Sequence, residues 1–480
     1  MVEQQTDQST SNGNKKRRPE TLIAIAAAVG TDMDAFCDEL KAQLREYNYS
    51  STVIRLSELI SQHPNAPTID RSTPTRTRES LMGAGTAIRH HHDCGDAVAL
   101  LGIAAIEQSR SPLSEPAEGT AYVLRTLKHP DEVRRLREVY GHGLLLIGVH
   151  STRDSRKRHL ASKNVGEQDA ERLMDKDEAE SDKLGQRTRD VFELADAFVS
   201  VDYGPDIAQQ VGRVLALLFG HPFESPTQDE HAMFLAFATG MRSADLSRQV
   251  GAIILDSRGE LVGCGTNEVP KAGGGLYSCE DKNDLRDFRL GYDSNSRERE
   301  LLGEKIAKAL DRDYTAETRQ KLKESGLFDL TEYGRAVHAE MEALLSCARV
   351  GVSVVGGVLY CTTYPCHNCA KHIIAAGIER VVFVEPYPKS RATRLHGDEI
   401  AKGRVALTPF VGIGPRKYVA FFSTRLAGTR VLERKDGKGD CIPFRKDTAE
   451  IRFPLEPSSY LDRELVACRD LHRRLDKGTE

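Results

Sequence analysis

The chain has 480 residues, 39% of them hydrophobic and 29% charged, with a formal net charge of −4. That length and apolar content imply about two or three domains with ordinary cores, which excludes a globally disordered chain. The near-neutral charge argues against a protein that coats nucleic acid, and no apolar run approaches the roughly 20 residues of a membrane span.

Residues 1–20, "MVEQQTDQSTSNGNKKRRPE", are polar and lack the apolar core of a signal peptide; a disordered tail is expected, with its Lys15–Arg18 run in solvent. The ten cysteines then read as thiols or metal ligands in a reducing cytoplasm. From 21 to 222, apolar runs (Leu22–Val29, Val53–Leu56, Gly143–Val149, Ala197–Val201) alternate with helical patterns. This predicts an α/β domain with a mainly parallel sheet. In "LIAIAAAVGTDMDAF" the apolar run ends at Gly30, and Asp32 and Asp34 suit a helix start. Phosphate-binding loops sit at such junctions but end in Gly-Lys-Ser/Thr, and no lysine follows Gly30. Thr31 and the helix N-terminus could still donate hydrogen bonds to an anion. "RHHHDCGD" (89–96) is expected to be polar surface, since adjacent histidines cannot all face one ion from a helix. The charged stretch 158–190 is expected to be helical, solvated and mobile.

Two prolines in "FGHPFESPTQDE" (219–230) mark a domain boundary. A helix near 231–249 and a strand pair turning at Arg258–Gly259 follow. A polar insertion spans 271–332, and its Cys279 is expected to be a lone thiol. After it, helices start near Val337 and Cys366 and alternate with the strands "GGVLYCTTY", "RVVFVE" and "VALTPFV". The second domain is expected at 230–425, with a charged extension at 426–480.

The chemistry concentrates in "VHAEMEALL" and "TTYPCHNCAKHI". Cys366 and Cys369 lie one helical turn apart, so both sulfurs meet on one face, where a helix N-terminus favours thiolate. Two thiolates and the His338 imidazole suit one Zn²⁺ per chain, with a fourth position left for water. Glu340 stands outside the ligand set, placed to take a proton from that water and return protons to a ring nitrogen and a departing amine. A purely structural zinc would need a fourth ligand such as His367 or Cys361, and would leave Glu340 without a purpose. Zinc nucleobase deaminases carry this pattern.

Residues 231–412 resemble the cytidine/deoxycytidylate deaminase superfamily, and most closely its deoxycytidylate branch. The resemblance rests on "RQVGAII", "GTNEVP", "HAEMEALL", "YCTTYPCHNCAKHIIAAGIERVVFVEPYPKS" and "LHGDE". It implies a three-layer α/β/α sandwich around a five-stranded mixed sheet. By the same resemblance, Asn267 would bond the deoxyribose, the Ala339 backbone would read the cytosine edge, and Tyr364 would pack near the base. Arg248 and Lys389 are candidate phosphate contacts on weaker matches. The whole chain is similar to bacterial anti-phage dCTP deaminases, on "AVGTD", "GGGLY", "PYPKSRATRLHGDEI", "PFVGIGPRKY" and "SYLDRE". That family implies free dCTP and dCMP as substrates, a degenerate P-loop kinase-like domain at 21–222, and an inhibitory small RNA. A homo-oligomer with no membrane contact is also expected. Gly30 and Thr31 would be that domain's residual anion site. Three roles stay open for it: active kinase, nucleotide- or RNA-responsive regulator, or scaffold. Two rival functions also stay open, a polynucleotide deaminase and a non-catalytic sensor.

Overall fold

Seven consecutive buried residues, Thr21–Ala27, form the first strand, β1, and their burial on both faces requires a layer of helices on each side. In the computed structural model, which describes residues 18–110, 115–178, 180, 182–330, 333–384, 392–401, 405–426, 429–455 and 457–476, two sheets organise the chain.

The first sheet contains β1, β2 (Ser50–Arg55), β3 (Thr120–Leu127), β4 (Leu144–His150) and β5 (Ala197–Ser200) in the order 2-3-1-4-5, all parallel. Alternation along β1 divides its core. Leu22, Ala24 and Ala26 face the helices Ala97–Gln108 and Pro130–Tyr140, while Ile23, Ile25 and Ala27 face Met33–Glu46 and Ile207–Leu218.

The second sheet holds β6 (Gly251–Leu255), β7 (Leu261–Thr266), β8 (Val358–Cys361), β9 (Arg380–Phe383) and β10 (Ala406–Pro409), in the order 10-9-8-6-7. β6 is antiparallel to β7 and β8, whereas β8, β9 and β10 run parallel, so the sheet is mixed as expected. Ile253, Tyr360 and Val382 lie in one cluster with Ala232, Met233 and Ala236 of helix Gln228–Gly240. Ala252, Ile254, Leu359 and Val381 cluster instead with residues of helices Ala339–Val350 and His367–Ala375. The result is an α/β/α sandwich.

Beyond β10 the chain returns to the first sheet. β11 (Gly412–Ile413) pairs antiparallel with β5, and Phe421, Ile451 and Phe453 join the first domain's core. The helix Pro457–Asp476 packs on Ala97–Gln108. The second sheet therefore ends well before 425, and the extension serves as a covering for the first.

Other differences have the same origin, in partners distant along the chain. The expected tail at 1–20 lies largely outside the described residues, but Glu20 is buried against Arg110 at 2.6 Å. The "RHHHDCGD" stretch is not simply polar surface: Arg89 is buried on Glu132 at 2.8 Å and His92 is buried beside His63. In the 158–190 stretch the charges are carried by helices that, with their connection, bury a cluster of Leu160, Val165, Ala170, Leu173 and Met174. The insertion contains helices at Ser294–Ala309 and Ala316–Glu324.

Candidate active site

His338 is the extended residue immediately before helix Ala339–Val350. That helix approaches β7 closely because Gly265 has no side chain. A Cβ there would stand 2.2 Å from the Ala339 carbonyl oxygen and 2.4 Å from the Ala343 nitrogen. The close packing sets the helix start, with His338 and Glu340, against the second sheet. Opposite it, Cys366 caps helix His367–Ala375, its sulfur accepting the Cys369 N–H at 3.4 Å.

The two helix starts bring three donors together. His338 Nδ1 lies 3.3 Å from Sγ of Cys366 and 3.3 Å from Sγ of Cys369. Tetrahedral zinc with its usual bond lengths sets a nitrogen–sulfur separation of about 3.5 Å, so the donor set fits the ion in chemistry and spacing. Among the described residues no other three His, Cys, Asp or Glu donors converge in this way. Cys361 is a buried thiol beside Thr363 and His367 stands in the first helical turn; neither belongs to the cluster.

The electrostatics suit metal capture and proton transfer. Hydrogen bonds from Cys369 and His338 draw the Cys366 thiol down to about 4, and the Cys366 sulfur raises His338 to about 9. Glu340 is 3% exposed, and burial pushes its carboxyl above the usual range. A carboxyl raised by burial beside a metal-ligand set is a common signature of a catalytic proton carrier.

The remaining expected residues divide. Ala339 is fully buried at the first helical position, and Tyr364 is half-buried with its ring 4.8 Å from that of Phe383. Asn267 spends its amide on the backbone: Oδ1 accepts from Val250 N–H at 2.7 Å and Nδ2 donates to the Arg248 carbonyl at 2.8 Å. Arg248 itself is exposed. Lys389 lies outside the described residues. Gly30 and Thr31 sit in the first domain, at the end of β1 and away from these helices.

Sequence inspection missed Glu268. Its buried carboxylate accepts the Ala244 N–H at 2.8 Å and faces Arg286 of the insertion at 3.6 Å, with Arg286 held in turn by Asp284. This chain of charges fastens the insertion to the segment that follows β7 and carries Asn267. A glutamate next to Asn267 was the only local sign of it.

A mixed-sheet α/β/α sandwich with a His–Cys–Cys set and a buried glutamate at two helix starts defines a hydrolytic deaminase of the nucleobase type. Residues 226–385 match the family model "Cytidine and deoxycytidylate deaminase zinc-binding region". A deoxycytidylate deaminase of Mycobacterium phage D29 is 30% identical over 164 residues, covering 34% of this chain and 96% of the relative. The mouse deoxycytidylate deaminase is 28% identical over 194 residues, 40% of this chain and 81% of the relative. The chain belongs to the cytidine and deoxycytidylate deaminase family. The solved dCMP deaminase of cyanophage S-TIM5 aligns with 39% of this chain and 100% of its own, at 19% identity and a TM-score of 0.23.

Proposed function

We propose that the protein hydrolyses the amino group of free deoxycytidine nucleotides, converting dCTP and dCMP to dUTP and dUMP with release of ammonia. The carrying observation is the convergence of His338, Cys366 and Cys369 beside the buried Glu340. One zinc ion per chain, held by those three donors, would supply Lewis acidity that lowers the pKa of water. Glu340 takes the proton of the attacking water and passes protons to N3 of the ring and to the leaving amine. The C4–O bond forms as the C4–N bond breaks, and the amine departs as ammonia. Burial keeps Glu340 ready for both directions of transfer.

Within this reading the Ala339 backbone meets the cytosine edge and Tyr364 packs near the base. Asn267, already oriented by Val250 and Arg248, offers its remaining N–H to the sugar. Arg248 and Lys389 take the phosphates. The names of the relatives, deoxycytidylate deaminases, support the monophosphate. The triphosphate, and a role in draining dCTP from an infecting phage, rest on the whole-chain resemblance, as do an inhibitory small RNA and a homo-oligomer. The first domain, whose 2-3-1-4-5 parallel sheet suits a degenerate P-loop kinase, would act as controller.

Ammonia release from cytosine nucleotides at each phosphorylation state, with and without added nucleic acid, tests this. Activity on dCTP and dCMP is expected; deamination of an oligonucleotide with both left untouched would sink the proposal.

A further inference from the structure

The chain passes from β10 to β11 through Phe410 and Val411 alone, which brings the edge of the first sheet against the second. Between them lies a cavity of about 840 Å³. Its walls come from both halves. Tyr203 and helix Ile207–Leu218 follow β5, while Asp229 stands in the first turn of helix Gln228–Gly240 and Arg380 begins β9. Drug-sized cavities at domain junctions are preferred places for small ligands.

The lining is rich in flat rings. Tyr47, Phe198, Tyr203 and Phe444 contribute theirs, together with the His221 imidazole, which lies 4.2 Å from the Phe444 ring. Val214, Pro409, Val411 and Ile413 fill the apolar surface between them. Such a wall favours a planar ring, through burial and through stacking or edge contacts.

The charges in the wall already answer one another. Arg213, Arg380 and Lys446 face three carboxylates, Glu224, Asp229 and Glu230. Arg213 lies 2.5 Å from Glu224 and 2.6 Å from Glu230, and Arg380 lies 2.5 Å from Asp229. Lys446 meets Glu46 at 2.5 Å. A ligand with a net charge would lose its hydration here and find every counterion engaged, so an uncharged one is favoured.

Two polar atoms of the lining residues are buried without a hydrogen bond, the Tyr47 hydroxyl and Arg213 Nε. Tyr47 is fully buried, and its ring is fixed by stacking on Phe219 at 4.2 Å. Both groups are donors that lose their hydration without compensation, which an acceptor atom on a ligand would repair.

We infer that this junction cavity is a binding site for an uncharged, planar heteroaromatic molecule. Its rings lie among the aromatic side chains, and a carbonyl or ring-nitrogen acceptor meets Tyr47 and Arg213. Such a ligand touches both domains at once and therefore clamps them together. The site is separate from the zinc ligands, and the inference stands independently of the deaminase reading.

The test is equilibrium titration of the full-length, zinc-loaded protein with riboflavin and caffeine, both uncharged heteroaromatics with carbonyl acceptors, and with anionic anilinonaphthalene sulfonate. Thermal midpoints are recorded for every variant. Riboflavin or caffeine should bind and raise the midpoint, because only the folded junction holds the cavity. Tyr47→Phe removes a hydroxyl that bonds nothing, so the midpoint of the free protein stays unchanged while affinity falls about tenfold. Val411→Trp fills the cavity and abolishes binding. Failure of both uncharged probes to bind would overturn the inference. So would the sulfonate binding as tightly as they do, since the paired charges would then select nothing. Affinity unchanged in both Tyr47→Phe and Val411→Trp would place the binding elsewhere and overturn it too.

Discussion

The guanidinium of Arg213 meets the carboxylate of Glu230 at 2.6 Å, and through that contact the two halves of the chain are joined. Arg213 belongs to a helix on the first sheet, and Glu230 opens the first helix of the second domain. Glu230 is fully buried; its other oxygen accepts the Ile413 N–H of β11 at 2.8 Å. Glu230→Ala would leave Arg213 to Glu224 and the Ser225 carbonyl while stranding the Thr227 and β11 amides, a loss of about 1–3 kcal/mol for unsatisfied buried donors. Calorimetry should show a lower midpoint and separate transitions for the halves; an unchanged single transition would show that the junction does not depend on this carboxylate.

Cys366→Ala and Cys369→Ala each remove one of three donors. Elemental analysis should find the zinc gone and ammonia release abolished, with the second domain less stable because metal binding contributes to folding. Full occupancy in either variant would refute the ligand assignment.

Glu340→Gln keeps the shape of the side chain but removes its capacity to accept a proton. Zinc content should match the parent protein while turnover falls by about 10²–10⁴, the usual contribution of a positioned acid–base. A variant with parental turnover would move proton transfer to another group.

A buried ionic knot secures the last helix. Arg110 lies 2.6 Å from Glu20 and 2.5 Å from Glu464, and Tyr460 donates its hydroxyl to Glu20. Arg110→Ala should cost about 3–5 kcal/mol, because two carboxylates then remain buried without a cation. Glu464→Gln should cost less, since Glu20 still pairs with Arg110. Urea unfolding monitored on both variants distinguishes the two; equal losses would contradict the arrangement.

The histidine pair predicts acid sensitivity. His63 and His92 stand Nε2 to Nε2 at 3.4 Å, with His91 and Arg474 beside His92. Burial, and for His92 the neighbouring His63, lowers both, His92 to about 4. With the folded value below the unfolded value of about 6.5, the unfolded chain binds protons first. The pair's contribution to stability is therefore complete above about pH 6.5 and is lost as pH falls from there towards 4. His92→Gln should flatten the fall in thermal midpoint across that window. An equally steep profile would assign the acid sensitivity to other groups.

Much of the candidate site was legible because its spacing is local. His338 and Glu340 are two residues apart and Cys366 and Cys369 three, so a helix start alone gathers each pair. The long apolar strands announced themselves for the same reason. β11 did not: two residues carry no periodicity, and its place follows from the β5 edge and Glu230. Arg89 looked like surface because its partner, Glu132, lies on another helix. Nothing local reveals that Val250 and Arg248 hold the Asn267 amide and leave it one N–H.

Sequence by itself determined the pairing of His338 with Glu340 and of Cys366 with Cys369 at helix starts, and the alternation of strands and helices, since each depends on residue type and short-range geometry. Tertiary structure decided which charges are buried, where the chain's last segment packs, and that an aromatic-lined cavity lies between the two domains. Those outcomes depend on contacts between residues tens to hundreds of positions apart, and burial is what gives such contacts their energetic weight.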